Sequence, residues 1–203
     1  MPSPVERLHG EFEALVAHLS EEPSLRSTAD DSFRKSLLLA SASFFEFRLS
    51  EYVAEFALEA SNSSSLIAGI IAKKAIERQY HTWFDWDSNN ANRFYSLFGR
   101  DFANFMKAKH SSESWLNQSV SSFMELGRSR NLLVHENFAA FTLEKTAAEI
   151  FVAYTHAIRF VDEIPNLLRE CNNLHSRPRT TDSSSGTSIE RSLLELRMNK
   201  FCK

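Results

Sequence analysis

Apolar residues recur at helical spacing along most of the chain, and short polar runs separate the repeats. Leu8, Phe12, Leu15, Val16 and Leu19 predict a first amphipathic helix that ends before Pro23. Its start is well marked: Ser3 can cap, Pro4 suits the first helical position, and Glu6 can reach back to close a capping box. From about Asp31 to Ala60 there is no Gly or Pro. Phe33, Leu37, Ala40, Phe44 and Phe47 form one stripe there, extended by Phe45, Leu49, Tyr52, Val53 and Phe56. A helix that long and that apolar belongs at the centre of a fold. The run Ser61–Ser65 ends it and caps a third helix, which carries Leu66, Ile67, Ile70, Ile71, Ala75 and Ile76 and continues to Tyr80, Trp83, Phe84 and Trp86.

Asp87–Asn90 reads as a turn. A short helix with Phe94, Tyr95, Leu97 and Phe98 follows and is stopped by Gly99, and another spans Asp101 to Lys109. After the polar Ser111–Ser114 a helix restarts with Trp115, Leu116, Val120, Phe123, Met124 and Leu126 and runs toward His135. Thr142 is the expected cap of the last long helix, with Ile150, Phe151, Tyr154, Ile158 and Val161, and Pro165 is expected to kink or break it. Residues 172–188 are polar and read as a flexible linker, and 189–203, with Leu193, Leu194, Leu196 and Met198, as a short amphipathic helix. The expected architecture is all-α: an up-down helical bundle over residues 1–171 with extra short helices and a flexible C-terminal tail.

Composition agrees. The 203 residues suit one domain with a substantial core, and 17 Phe among 43% hydrophobic residues make that core aromatic. Five Gly and five Pro are few for a β-fold that must turn often. Apolar runs such as Leu37–Ala40 fall far short of the ~20 residues of a membrane span. The acidic N-terminal segment, with Glu6, Glu11 and Glu13, has no leader pattern, so a cytoplasmic protein is expected. Two cysteines cannot build a disulfide framework. Cys171 and His175 are spaced as half a metal site, but no second pair completes it, so neither a metal nor a cofactor is expected. The net charge of −3 argues against general adhesion to nucleic acid. Residues 172–203 hold six Lys+Arg against three Asp+Glu, so any RNA contact comes from a local patch or from this tail.

The segment Arg128-Ser129-Arg130-Asn131-Leu132-Leu133-Val134-His135-Glu136-Asn137 carries the candidate chemistry. Asn131 and His135 share one face of a helix and Arg130 lies on an adjacent side, at about 100° per residue. Imidazoles as a class titrate near neutral pH and can take and give protons there. A guanidinium presents a planar fork of donors to a phosphate and to charge building on it. Together these groups suit RNA cleavage through the 2′-hydroxyl without a metal ion.

The segment resembles the signature of the HEPN superfamily: an arginine, four to six residues, then a histidine, with a polar residue directly after the arginine. Arg128–His135 and Arg169–His175 share the spacing, but Arg130–His135 ends a helix and is followed by a polar stretch and a long capped helix. Ser43-Phe44-Phe45-Glu46 is similar to the aromatic-plus-Glu helix of RiboL-PSP-type HEPN proteins, and Asn92–Gly99 looks like the middle of that subgroup. The likeness covers about residues 30–170. It implies a HEPN-type helical bundle and a homodimer in which two motifs face one cleft, since one histidine cannot be both base and acid in a single step. It further implies that Glu46 hydrogen-bonds the motif from the neighbouring helix.

Other groups are candidates for RNA contact. Arg93, Arg100, Lys107 and Lys109 are opposed by Asp101 alone, and Arg128 adjoins the motif. The aromatic run Tyr80–Asp87, with His81 and Asp85 one turn apart, could stack bases or form an edge of the core with a surface His–Asp pair. Three functional readings follow: a HEPN ribonuclease of toxin or defence type, with an antitoxin or defence-system partner; a non-catalytic HEPN module binding nucleotide, RNA or a protein; and a helical adaptor working through its tail.

Overall fold

The computed structural model describes residues 1–136 and 138–176. Among them the elements are all helical: α1 (Pro4–His18), α2 (Pro23–Ala60), α3 (Ser65–Ile71), a π-helical turn (Ala72–Ile76), α4 (Tyr80–Trp83), α5 (Asn92–Leu97), α6 (Arg100–Ser112), α7 (Ser114–His135) and α8 (Ala147–Ser176). Residues 1–172 form one compact unit; of the second, 173–203, only the end of α8 is described. The C-terminal amphipathic helix expected over 189–203, and most of the linker before it, lie outside the described residues.

Side-chain pairs set the directions of the long helices. Phe12 stacks on Phe33, with ring centroids 3.5 Å apart, while Val5 and Leu8 share a groove with Ala40 and Phe44, so α1 runs antiparallel to α2. On α7, Trp115 lies under Arg159 and Gln118 meets His156, so α8 runs antiparallel to α7. Against α2, α8 runs in the same direction: Tyr154 stacks on Phe45, Asp162 accepts from Tyr52, and Arg169 pairs with Glu59. These four helices make the up-down bundle, and α3 to α6 are inserted between α2 and α7.

Phe123 of α7 sits at the middle of the core. Its ring lies 5.5 Å from Phe45, 4.9 Å from Phe84 and 5.3 Å from Phe160, and all four residues are fully buried. Offset and edge-on aromatic pairs of this kind add about 0.5–1.5 kcal/mol beyond their area burial.

Several boundaries differ from the sequence reading. Pro23 opens α2 at its first turn, so that helix begins well before Asp31. The third helix is not continuous: it passes into the π turn, stops at Glu77, and turns through Arg78 at φ 57° before α4. Thr146, not Thr142, caps the last helix; its hydroxyl accepts from Glu149 N–H while the Glu149 carboxylate accepts from Thr146 N–H. Pro165 lies inside α8, which carries on to Ser176, into the stretch read as linker. The capping box of Ser3 and Glu6 is formed as expected. Gly99, at φ 94°, separates α5 from α6 in a conformation that favours glycine. No helix among the described residues is long and apolar enough to cross a membrane.

Candidate functional site

The last two turns of α7 carry the motif. Arg130 and Asn131 are half-buried, and an Arg130 Nη1–H donates to Asn131 Oδ1 at 3.1 Å. His135 is the last helical residue; Glu136 leaves the helix in an extended conformation while its N–H still bonds the Leu132 carbonyl. The imidazole is exposed and has no hydrogen-bond partner among the described residues.

A cavity of about 170 Å³ opens beside the motif, walled by Glu46 of α2, by Tyr80, His81 and Trp86 of the following segment, and by Arg130 and Asn131. His135 is not in its lining. The structure therefore gathers Glu46, Arg130 and Asn131 at one concavity and leaves His135 about 6 Å further along the helix axis than Asn131. Glu46 is exposed and makes no hydrogen bond or ion pair to the motif within one chain, contrary to the expectation. It acts on the site through its charge. Burial raises the Tyr80 hydroxyl far above its ordinary range, the Glu46 carboxylate raises it further, and Arg130 opposes them; Tyr80 stays protonated.

Two contacts hold the aromatic wall. The Trp86 ring lies directly on the α7 backbone at Gly127, where a Cβ would stand 1.9 Å from Trp86 Cζ3. Arg128 donates to the carbonyls of Trp86, Asp87 and Ser88 and to Asn89 Oδ1, at 2.9 to 3.2 Å. Its guanidinium is thus committed to the 86–89 loop and not presented to RNA. The other side of the motif is fixed from α2. Lys35, only 2% exposed, donates to Asp31 and to the Phe138 carbonyl, and Arg34 donates to the carbonyls of Leu143 and Lys145. The loop after His135 is anchored by these two cations.

The remaining candidates divide. Arg93, Arg100 and Lys107 are exposed and without an ion pair among the described residues. Lys109 bridges Glu170 at 2.9 Å and Glu113 at 3.2 Å, and these carboxylates, Glu170 first, raise its ammonium above the ordinary lysine range. Lys109 ties α6 to α8. Arg169, of the discounted Arg169–His175 spacing, is held by Glu59 at 2.8 Å. Cys171 is buried, which pushes its thiol pKa up, and the His175 side chain lies outside the described residues. Among the described residues no three His, Cys, Asp or Glu side chains gather as a metal site.

Of the aromatic run Tyr80–Asp87, Tyr80, His81 and Trp86 line the cavity, and no His81–Asp85 pair forms. Sequence reasoning missed two contributors. Lys35 and Arg34 sit among ordinary helical charges and carry no local mark of their long-range partners.

Residues 6–170 match the sequence profile of the family described as RiboL-PSP-HEPN. No curated protein and no solved structure gives a significant match to the chain.

Proposed function

The chain belongs to the RiboL-PSP-HEPN family, and on that premise we propose that it is a metal-independent endoribonuclease, acting as a homodimer, with Arg130, Asn131 and His135 as the reacting set. A HEPN family supports a nucleotide- or RNA-related function. The observation that carries the finer reading is the Arg130–Asn131 hydrogen bond beside a cavity, with an unengaged imidazole one turn further on.

In this reading Arg130 donates to the non-bridging oxygens of the scissile phosphate, and Asn131 fixes the plane of its guanidinium. His135 removes the 2′-hydroxyl proton as that oxygen attacks phosphorus. The bond from phosphorus to the 5′-oxygen breaks, and the second copy's His135 protonates the leaving oxygen. The products are a 2′,3′-cyclic phosphate and a free 5′-hydroxyl. Arg93, Arg100 and Lys107 follow the RNA backbone.

The apolar surface around the motif supports a second copy there. Leu132 and Val134 are each about half exposed on nearly opposite sides of the end of α7, and Phe138 just beyond it is exposed too. Large apolar side chains left exposed on both sides of a helix end would be covered by a second copy that clasps that end.

The test is purified protein with total RNA in EDTA, wild type against His135→Ala. The wild type is expected to cut, leaving cyclic phosphate ends, and the variant to be silent. Intact RNA with both, or equal cutting by both, overturns the assignment; RNA binding without cutting by the wild type would favour a non-catalytic HEPN module. A toxin or defence role predicts growth arrest on induced expression, relieved by His135→Ala.

A further inference from the structure

A larger cavity, of about 680 Å³, uses alternate residues of the segment that walls the Arg130 site. Gln79, Thr82 and Trp83 line it, while Tyr80, His81 and Trp86 line the other. Its size falls within the ~300–1,000 Å³ of small-molecule sites. From Val53 to Ser61 it follows two turns of α2, about 12 Å, so it is elongated. Phe56, Ile71, Trp83, Phe94 and Phe98 give it apolar walls.

Lys74 is the one charged residue in the lining. Lys73 beside it is paired with Glu77 at 2.8 Å, but Lys74 has no ion-pair partner among the described residues. The wall that carries it is exposed, and the Trp83 indole N–H holds it by donating to the Ala75 carbonyl at 2.9 Å. No residue of α3 or the π turn is buried, and Leu66 and Ile70 are 81% and 66% exposed. Left-handed non-glycine residues stand at both ends of this wall, Asn62 and Ser63 before it and Arg78 after it. Such backbone persists where the surroundings over-determine it, and π turns recur at functional sites.

We propose that this cavity binds a single-chain aliphatic carboxylate, its chain along α2 and its head group at Lys74. Charge complementarity selects the head: Lys74 is exposed at the edge of an elongated apolar chamber, where its ammonium can meet a carboxylate whose chain lies inside. The site is separate from RNA cleavage, so it stands or falls independently of the ribonuclease reading.

Titration calorimetry of the full chain with dodecanoate and with dodecanol tests it. Dodecanoate is expected to bind saturably at one site per chain, at least about ten-fold tighter than the alcohol. Lys74→Ala should erase that preference, and Ala57→Trp, which fills the cavity, should abolish binding of both. Ile67→Glu puts a like charge at an exposed lining position without burying it, and should weaken the carboxylate alone even if Ala57→Trp fails to fold. No saturable binding by the wild type, equal affinity for acid and alcohol, or dodecanoate affinity unchanged by both Lys74→Ala and Ile67→Glu overturns the proposal.

Discussion

Gly127 and Trp86 meet so closely that no side chain fits between them: a Cβ on Gly127 would stand 1.9 Å from Trp86 Cζ3 and 2.3 Å from Cε3. The Trp86 ring is also packed on Phe84 and Phe123, so it cannot simply withdraw. Gly127→Ala should therefore displace the aromatic wall of the site. We expect a loss of about 1–3 kcal/mol in denaturant unfolding, as for other overpacked positions, with a larger proportional fall in RNA cleavage. An unaltered stability would show that the 86–89 loop is loosely held.

Arg128 and Arg130 are two residues apart and should respond in opposite ways. Arg128→Ala frees three backbone carbonyls and Asn89, and should lower stability by about 1–3 kcal/mol. Arg130→Ala leaves only Asn131 without a partner. It should melt near the wild type while kcat falls about 10²–10³-fold. Thermal melting and cleavage assays run side by side separate the two.

Asn131→Ala should lower kcat by roughly ten-fold with little change in KM, because the amide holds the guanidinium and does not itself bind the phosphate in the proposed mechanism. His81→Ala, beside the same cavity, tests whether a second imidazole contributes. A lower kcat together with loss of one limb of the pH–rate profile in that variant would be the sign of proton transfer.

Much of this was readable from local sequence, and the remainder was not for identifiable reasons. Ser3 and Glu6 are partners three residues apart, so their capping box could be read directly. Thr146 and Glu149 form the same pattern, and reading Thr142 as the cap passed over it. The break at Arg78 carries no glycine or proline, and the apolar period runs up to it without interruption. The partners of Arg128 lie about forty residues away and are mostly backbone carbonyls, which no side-chain pattern reveals. The motif itself was legible, but its separation into a cavity pair and an outlying His135 is a matter of where α7 stops.

Alkaline titration should report Tyr52. Burial first, and then its hydrogen bond to Asp162, push its hydroxyl from 10.0 up to about 12. A folded pKa above the unfolded one gives stability that is complete below pH 10 and is lost as pH rises through about 12. Burial raises Tyr80 and Tyr95 further, so the decline should continue beyond that point. Tyr52→Phe should flatten the part of the curve between pH 10 and 12 and leave the later part unchanged.

Disrupting the apolar surface checks the dimer. Val134→Glu alters an exposed position and should leave circular dichroism unchanged. Light scattering should then report monomer where the wild type reports dimer, with cleavage lost.

Arg34 and Lys35 reach carbonyls 103 to 111 residues further along the chain. A nascent polypeptide synthesised from its N-terminus therefore exposes its anchoring cations long before their acceptors exist. The loop beyond His135 can be fastened only step by step, as Phe138, then Leu143 and then Lys145 emerge. The end of α7 is thus set only after every helix before it has been made, and a chain cut short before Phe138 lacks all the carbonyls that hold the loop there.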